Sequence, residues 1–245
     1  AVVLVAPLVL LARPLRRRRR LALLAVSGAA CAAVLAPWTG YNLARFEEPE
    51  LISSGLGPTL LVSNCPQTYT EPFKGWWWYP CITGRPLPPG DASRRDLEYR
   101  RIAGAFVAAH RDELPGVVLA RLGRIWGFYH PLQQITLDTI ESRELGVSRV
   151  GLGLFYVLAA ASAAGVVVLR RRRVPVLPLL AFPVVVSVAV AAFYGTTRFR
   201  AAAEPSLVLL AVVALDAVLP RRRPHPPPGD PPVERPASRP APAVT

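Results

Sequence analysis

Runs of arginine set between long apolar stretches constrain this chain more than any other feature of its sequence. Arg13 with the run 16–20, the run 170–173 and a basic cluster after Pro220 each adjoin an apolar stretch. One arginine at the centre of a bilayer costs about 2.5–3.5 kcal/mol, so several in a row end a membrane span. With 52% hydrophobic residues and a mean hydropathy of +0.32, the chain has the composition of a membrane protein.

The apolar stretches predict an α-helical multi-pass membrane protein with about five transmembrane helices and an external segment of helices and loops. A spanning helix needs roughly 20 apolar residues, with about 17 as a lower limit, and all stretches except the truncated first one fit. The stretches are 1–12, 21–37, 150–169, 174–194 and 201–219. The expected parts are a transmembrane hairpin over 1–37, an external segment over 38–149, three transmembrane helices over 150–219, and a disordered cytoplasmic tail over 220–245.

The distribution of charge predicts which parts face the cytoplasm. If every stretch crosses once, the three basic clusters fall on one side, which is cytoplasmic by the positive-inside rule. Residues 38–150 then lie outside, and they are neutral, with 12 Lys and Arg against 12 Asp and Glu. The net charge of +13 therefore reflects topology and contact with membrane lipid, and no nucleic-acid partner is expected because the arginine runs lack interleaved aromatic residues. The chain opens without Met inside an apolar run, so we expect it to be the C-terminal part of a longer protein.

The external segment is expected to begin as loop over 38–90 and to continue as two helices. The first helix is predicted over 91–111, with Ser93 and Asp96 at its start, and the second over about 115–129. Arg121 and Arg124 are placed on the polar side of the second helix. The tryptophans at 76–78 suit either an interfacial belt or small core, or a surface that contacts sugar or lipid.

The cysteines and the last polar turn are the remaining chemical features. Cys65 and Cys81 share the external segment, where an oxidising compartment favours a disulfide between them, and Cys31 lies within a span. No metal site is expected, because no histidine or further cysteine pair has ligand spacing. Arg198 and Arg200 flank Phe199 in the turn before Glu204. They form either a short loop paired with Glu204 or lipid phosphate, or an anion site at the outer face.

Four short motifs remain to be considered: PWTGYN at 37–42, NCPQTY at 64–69 with Gly75, Trp76 and Cys81 following, RIWGFY at 124–129 with Pro131 following, and RFR at 198–200 before Glu204 and Pro205. Together they resemble the integral-membrane glycosyltransferases related to protein O-mannosyltransferases and aminoarabinose transferases, within the GT-C superfamily. The similarity is to the actinobacterial branch and extends over residues 1–220.

The resemblance implies a hexosyltransferase of the inverting type that moves a sugar from a polyprenyl-phosphate donor to an acceptor outside the membrane. It implies donor-phosphate binding by Arg198 and Arg200, no further cofactor, and a catalytic carboxylate in an upstream loop that this chain does not contain. A non-catalytic membrane scaffold or a transporter subunit is the alternative. The candidate substrate contacts are Asn42, Asn64, Tyr69, His130 and Tyr194. For His130 the favoured interpretation is an ordinary loop or interface residue, and a catalytic role is the alternative.

Overall fold

The computed structural model of the chain describes residues 15–219, where all regular secondary structure is helical and no strand occurs. The predicted all-helical fold class is therefore confirmed, while the stretch 1–12 and the tail 220–245 lie outside the described residues. The α-helices are α1 Arg17–Arg45, α2 Leu56–Ser63, α3 Pro66–Tyr69, α4 Pro80–Thr83, α5 Ala92–Ala109, α6 Leu114–Ile125, α7 Pro131–Asp138, α8 Leu145–Arg171, α9 Leu177–Ala192 and α10 Glu204–Val218; 3₁₀ helices occupy Thr139–Glu141 and Thr197–Ala202.

Two of these helices are long and apolar enough to cross a membrane. The most apolar window of α1 has a mean hydropathy of 1.9 and that of α8 has 2.3. None of the α1 window is buried against the rest of the protein, whereas 22% of the α8 window is. Helices α9 and α10 have 16 and 15 residues, which is below the usual lower limit of about 17 for a span. The expected count of five spans is therefore not established by these helices.

Helices α8 and α10 pack side by side in parallel. The Ser162 hydroxyl on α8 donates to the Leu207 carbonyl on α10 at 2.7 Å, and one end of the pair is closed by an ion pair between Arg172 and Asp216 at 3.6 Å. Between them the backbone of α10 at Leu210 lies directly against Gly165, so close that there is no room for a Cβ. Small residues at a helix interface permit this approach of two backbones.

Helix α9 returns antiparallel to α8 and completes this three-helix group. Leu169 and Val176, on either side of the arginine run 170–173, form a core with Leu210. We call the opposite end of the group the distal end; there α8 begins, α9 ends and α10 begins.

Residues 46–144, which we call the cap, cover the distal end of the group. Within the cap, α2 and α5 pack around Leu61, Tyr99 and Ala103. The region 38–90 is less loop-like than predicted, because α1 continues through Pro37 to Arg45 and α2 lies within the region. The extension of α1 is anchored to the cap by side-chain bonds: the Trp38 indole donates to the Ile52 carbonyl at 2.8 Å.

Helix α5 begins one residue before the expected cap residue. Asp91 is the N-cap: one carboxylate oxygen accepts from the Ser93 and Arg94 amides, and the other accepts from the Glu47 amide at 3.0 Å. A further bond, from the Ser93 hydroxyl, is the largest cause that lowers the pKa of Asp91 to about 2, and the amide bonds add to it. The capping arrangement predicted at Ser93 and Asp96 is wrong, because Asp96 is buried and instead accepts from the Gly57 amide at 2.6 Å.

The close packing of α8 on α10 predicts the effect of a single methyl group. Gly165→Ala should destabilise the protein by about 1–3 kcal/mol, since overpacking a close contact has this cost. Gly153→Ala, on the same helix, is the matched control because its added Cβ meets nothing within 4 Å. The measurement is the midpoint of thermal unfolding in detergent. Equal midpoints for the two variants would contradict the direct backbone contact.

Candidate functional site

Arg121 on α6 is buried and joins the cap to the distal end of α9. Its guanidinium donates to the Ser63 carbonyl at 2.7 Å, to the Asn64 side-chain oxygen at 2.9 Å and to the Ala191 carbonyl at 3.0 Å. Burial lowers the pKa of Arg121 to about 10. The prediction that Arg121 lies on a polar face is wrong, because α6 is enclosed by the cap and α9 and its arginines satisfy backbone carbonyls.

Arg124, one turn later, holds the loop before Gly75 and the start of α7. It donates to the Lys74 and Pro72 carbonyls at 2.6 and 2.9 Å and to the side-chain oxygen of Gln134 at 3.1 Å. Burial is the main cause that lowers the pKa of Arg124. The expected polar-face position of Arg124 is therefore also wrong.

Two glycines allow the surrounding backbone to approach α6. Gly75 has a φ of +75°, and its Cα faces the backbone of Arg121 so closely that a Cβ would overlap it. Gly195, just after α9, lies against the Arg121 carbonyl and donates its amide to the Gly75 carbonyl at 2.9 Å. The chain between α9 and the 3₁₀ helix Thr197–Ala202 is thus fixed in place by α6.

A cavity lies on each side of the 3₁₀ helix Thr197–Ala202. Cavity A has a volume of about 430 Å³ and cavity B of about 720 Å³. The polar lining of cavity A consists of Arg124, Gln134, Asp138, Arg143, Glu144, Ser148, Thr197 and Arg200. Cavity B is lined by the charged or phenolic residues Glu50, Arg100, Tyr194 and Arg198 and by the apolar residues Leu51, Ile52, Leu56, Phe193 and Phe199.

Arg200 is a guanidinium of cavity A that has unused hydrogen-bonding capacity. Its charged centre lies 3.7 Å from the centroid of the Phe155 ring, and its Nε is 3.3 Å from a Glu204 oxygen. Its Nη1 atom is buried and has no hydrogen-bond partner among the described residues. Burial is the largest cause that lowers the pKa of Arg200. The bond and the attraction to Glu204 raise this pKa, and repulsion from Arg143 lowers it further.

Arg143, which the sequence did not single out, is a further cation of cavity A beside Arg124 and Arg200, and its Nε lies 4.0 Å from a Glu141 oxygen. It donates to the Thr197 hydroxyl at 2.9 Å, and that hydroxyl donates to Asp138 at 2.5 Å. The other acid of the cavity, Glu144, accepts from the Gly146 and Val147 amides at the start of α8. Asp138 and Glu144 are therefore both engaged by hydrogen-bond donors. Arg143 and Arg200 are far apart in sequence, and only the fold reveals that they share one cavity.

Arg198 lies with cavity B and is not brought together with Arg200. Its guanidinium is 3.0 Å from a Glu141 oxygen and donates to the Tyr194 hydroxyl at 2.7 Å. The cause is the 3₁₀ conformation of this turn: with three residues per turn, side chains two positions apart point in different directions. The two arginines expected at one phosphate thus line different cavities.

The remaining candidate substrate contacts lie in different parts of the structure. Tyr194 lines cavity B. Asn64 and Tyr69 are buried and bonded to each other at 3.0 Å, beside Arg121, while Asn42 is buried at the end of α1 and donates to the Ile52 carbonyl. His130 is half exposed, with its Nε2 3.9 Å from a Glu71 oxygen, and has a φ of +42°.

The two cysteines of the cap form a disulfide, and one of its tryptophans lies in a small core. Cys65 and Cys81 form a disulfide with an S–S distance of 2.06 Å, and Cys31 is free. Trp76 is almost fully buried and stacks on Phe73, so this tryptophan belongs to a small core. Within residues 15–219, no group of three or more His, Cys, Asp or Glu residues is placed to hold a metal ion.

No family model matches the chain, and no curated protein or solved structure is a match to it.

The role of Arg121 predicts a large loss of stability when its charge is removed. Arg121→Met leaves buried carbonyl acceptors without donors, and each such group costs about 1–3 kcal/mol. We expect a strong fall in the thermal midpoint and in the yield of monodisperse protein. The control is Arg111→Met, because Arg111 is exposed. A midpoint unchanged by Arg121→Met would show that these bonds do not hold the cap on α9.

Proposed function

We propose that this chain forms the C-terminal part of a multi-pass membrane glycosyltransferase that takes its sugar from a polyprenyl-phosphate donor at the outer membrane face. The observation that carries the proposal is cavity A, where Arg143 and Arg200 line one cavity at the distal end of apolar helices. The motif resemblance supplies the reaction class, and the cavity supplies a place for the anionic group that such a reaction releases.

In this proposal the donor phosphate binds in cavity A between Arg143 and Arg200. A guanidinium offers a planar set of donors that fits phosphate oxygens, and hydrogen bonds between two charged groups are stronger than neutral ones. Positive charge at the departing phosphate stabilises the transition state, where negative charge develops on that group. Arg198, assigned to the same phosphate by the resemblance, instead lines cavity B and lies 3.0 Å from a Glu141 oxygen. The phosphate site therefore takes Arg200 from the expected pair and adds Arg143.

The same proposal places the cap outside and the arginine runs in the cytoplasm. Disulfides such as the one between Cys65 and Cys81 persist in oxidising compartments, which supports an external cap. Helices α9 and α10 are short, but the apolar residues at their ends lengthen each apolar stretch towards the thickness of a bilayer. We assign no acid of this chain as the catalytic base, since the resemblance places that carboxylate in an upstream loop.

Donor binding should depend on Arg200 and Arg143 more than on Arg198. Losing a charge-assisted bond of about 1.5–3 kcal/mol weakens binding roughly ten- to hundredfold, so Arg200→Gln and Arg143→Gln should each do so. Arg200→Lys should be impaired less, because the charge remains while the planar donors are lost. The measurement is the affinity of the full-length protein in lipid nanodiscs for polyprenyl phosphate, with folded yield recorded for every variant.

Controls distinguish a binding role from a structural one. Arg111→Gln should leave affinity unchanged, because Arg111 is exposed and outside the cavity. Glu204→Gln tests the opposing reading, in which Arg200 serves only as the structural partner of Glu204. Unchanged affinity with reduced folded yield for the Arg200 and Glu204 variants would refute the phosphate site. Absence of sugar transfer by the full-length protein from any polyprenyl-phosphate donor would instead favour a scaffold or a transporter subunit.

The proposed membrane orientation has its own test. In a Cys31→Ser background, Leu87→Cys in the cap should react with a membrane-impermeant thiol reagent on intact cells. Val174→Cys, beside the second arginine run, should react only after the membrane is opened. Both positions carry exposed side chains, so access by the reagent depends on the side of the membrane. The reverse labelling pattern would overturn the orientation.

A further inference from the structure

We infer that cavity B is a second ligand site, separate from the phosphate site, and that it binds an uncharged, hydroxyl-rich molecule of the saccharide or polyol class. The inference goes beyond the proposed function, because it depends only on the lining of cavity B. It would hold equally for an enzyme, a scaffold or a transporter subunit.

The first argument is that the charges of cavity B already have partners within the protein. Arg100 lies 3.2 Å from a Glu50 oxygen and 2.5 Å from an Asp96 oxygen, and Arg198 lies 3.0 Å from Glu141. A ligand with its own charge would have to compete with these pairs. Cavity A differs, because its Arg200 retains a buried donor atom without a partner. Cavity B therefore favours a ligand without net charge.

The second argument is the hydrogen-bonding capacity that these pairs leave unused. A carboxylate accepts up to about four hydrogen bonds and a guanidinium donates five, so the paired Glu50 and Arg198 retain both kinds of group. The Tyr194 hydroxyl accepts from Arg198 and still has its own proton to donate. Hydroxyl groups, which donate and accept, match such a mixed set of donors and acceptors.

The third argument is the apolar part of the lining. Phe193 and Phe199 both line the cavity and are only partly buried. The Arg198 guanidinium lies 5.1 Å from the centroid of the Phe199 ring, so Phe193 is the aromatic residue that we assign to the ligand. The C–H groups of a saccharide ring pack on aromatic faces while its hydroxyls reach polar groups at the rim. A volume of about 720 Å³ lies within the range of pockets that hold small molecules. The combination selects a ligand with both a ring face and hydroxyls.

The test is binding of four neutral probes to the full-length protein in nanodiscs: methyl α-mannoside, methyl β-glucoside, maltose and inositol. Saturation-transfer NMR should detect saturable binding of at least one probe. Phe193→Leu keeps an apolar side chain but removes the aromatic face, and should weaken that binding about three- to tenfold. Ser53→Trp, at an exposed lining position, should abolish it by filling the space. The matched control is Phe128→Leu, because Phe128 is 77% exposed and lies elsewhere.

The other outcomes overturn the inference. They are the absence of saturable binding for all four probes, an equal effect of Phe128→Leu, and displacement of the sugar by inorganic phosphate in a manner that depends on Arg198. Unfolding of the Phe193 variant is checked by its thermal midpoint, and Ser53→Trp provides a second variant outside the core. Arg200→Gln should leave saccharide binding unchanged, so failure of cavity B and failure of the phosphate site are distinguished.

Discussion

The burial of two guanidinium groups on α6 is the constraint on which the distal end of the molecule depends. Removing a charge from water is costly unless hydrogen bonds compensate for it. The two terminal nitrogens of Arg121 donate to the end of α2 and the end of α9, while its buried Nε has no hydrogen-bond partner among the described residues. Arg124 donates to the loop before Gly75 and to the start of α7. Each arginine thus fixes the relative positions of segments far apart in the sequence.

This arrangement determines where the residues of both cavities lie. Gly195 follows α9 and is held against α6, so the 3₁₀ helix that begins two residues later has a fixed starting point. Arg143 and Asp138 approach the same 3₁₀ helix through Thr197. The candidate sites therefore lie on a rigid junction of cap and helices, which suits the orientation of polar groups around a ligand.

The sequence predicts those parts of the fold that depend on local composition. Apolar runs ended by arginine mark the positions of α1 and α8, and the apolar periodicity locates α5 and α6 to within a few residues. It fails where a tertiary partner decides the outcome. Arg121 and Arg124 look like surface residues because most of their acceptors are backbone carbonyls, which have no sequence signature. Asp91 and Ser93 are both suitable N-caps by residue type, and the Glu47 amide favours Asp91.

The candidate site illustrates the same limit at the level of single side chains. Arg198 and Arg200 are neighbours in sequence, yet they differ in what remains for a ligand. Arg198 has Glu141 and Tyr194 as partners, whereas Arg200 has Glu204, the face of Phe155 and a buried nitrogen without an acceptor among the described residues. An unsatisfied buried donor on a charged group is costly. Arg200 thus keeps a buried donor unused while Arg198 is bonded to Glu141 and Tyr194, and this difference is the reason that the proposed phosphate site relies on Arg200 and not on Arg198.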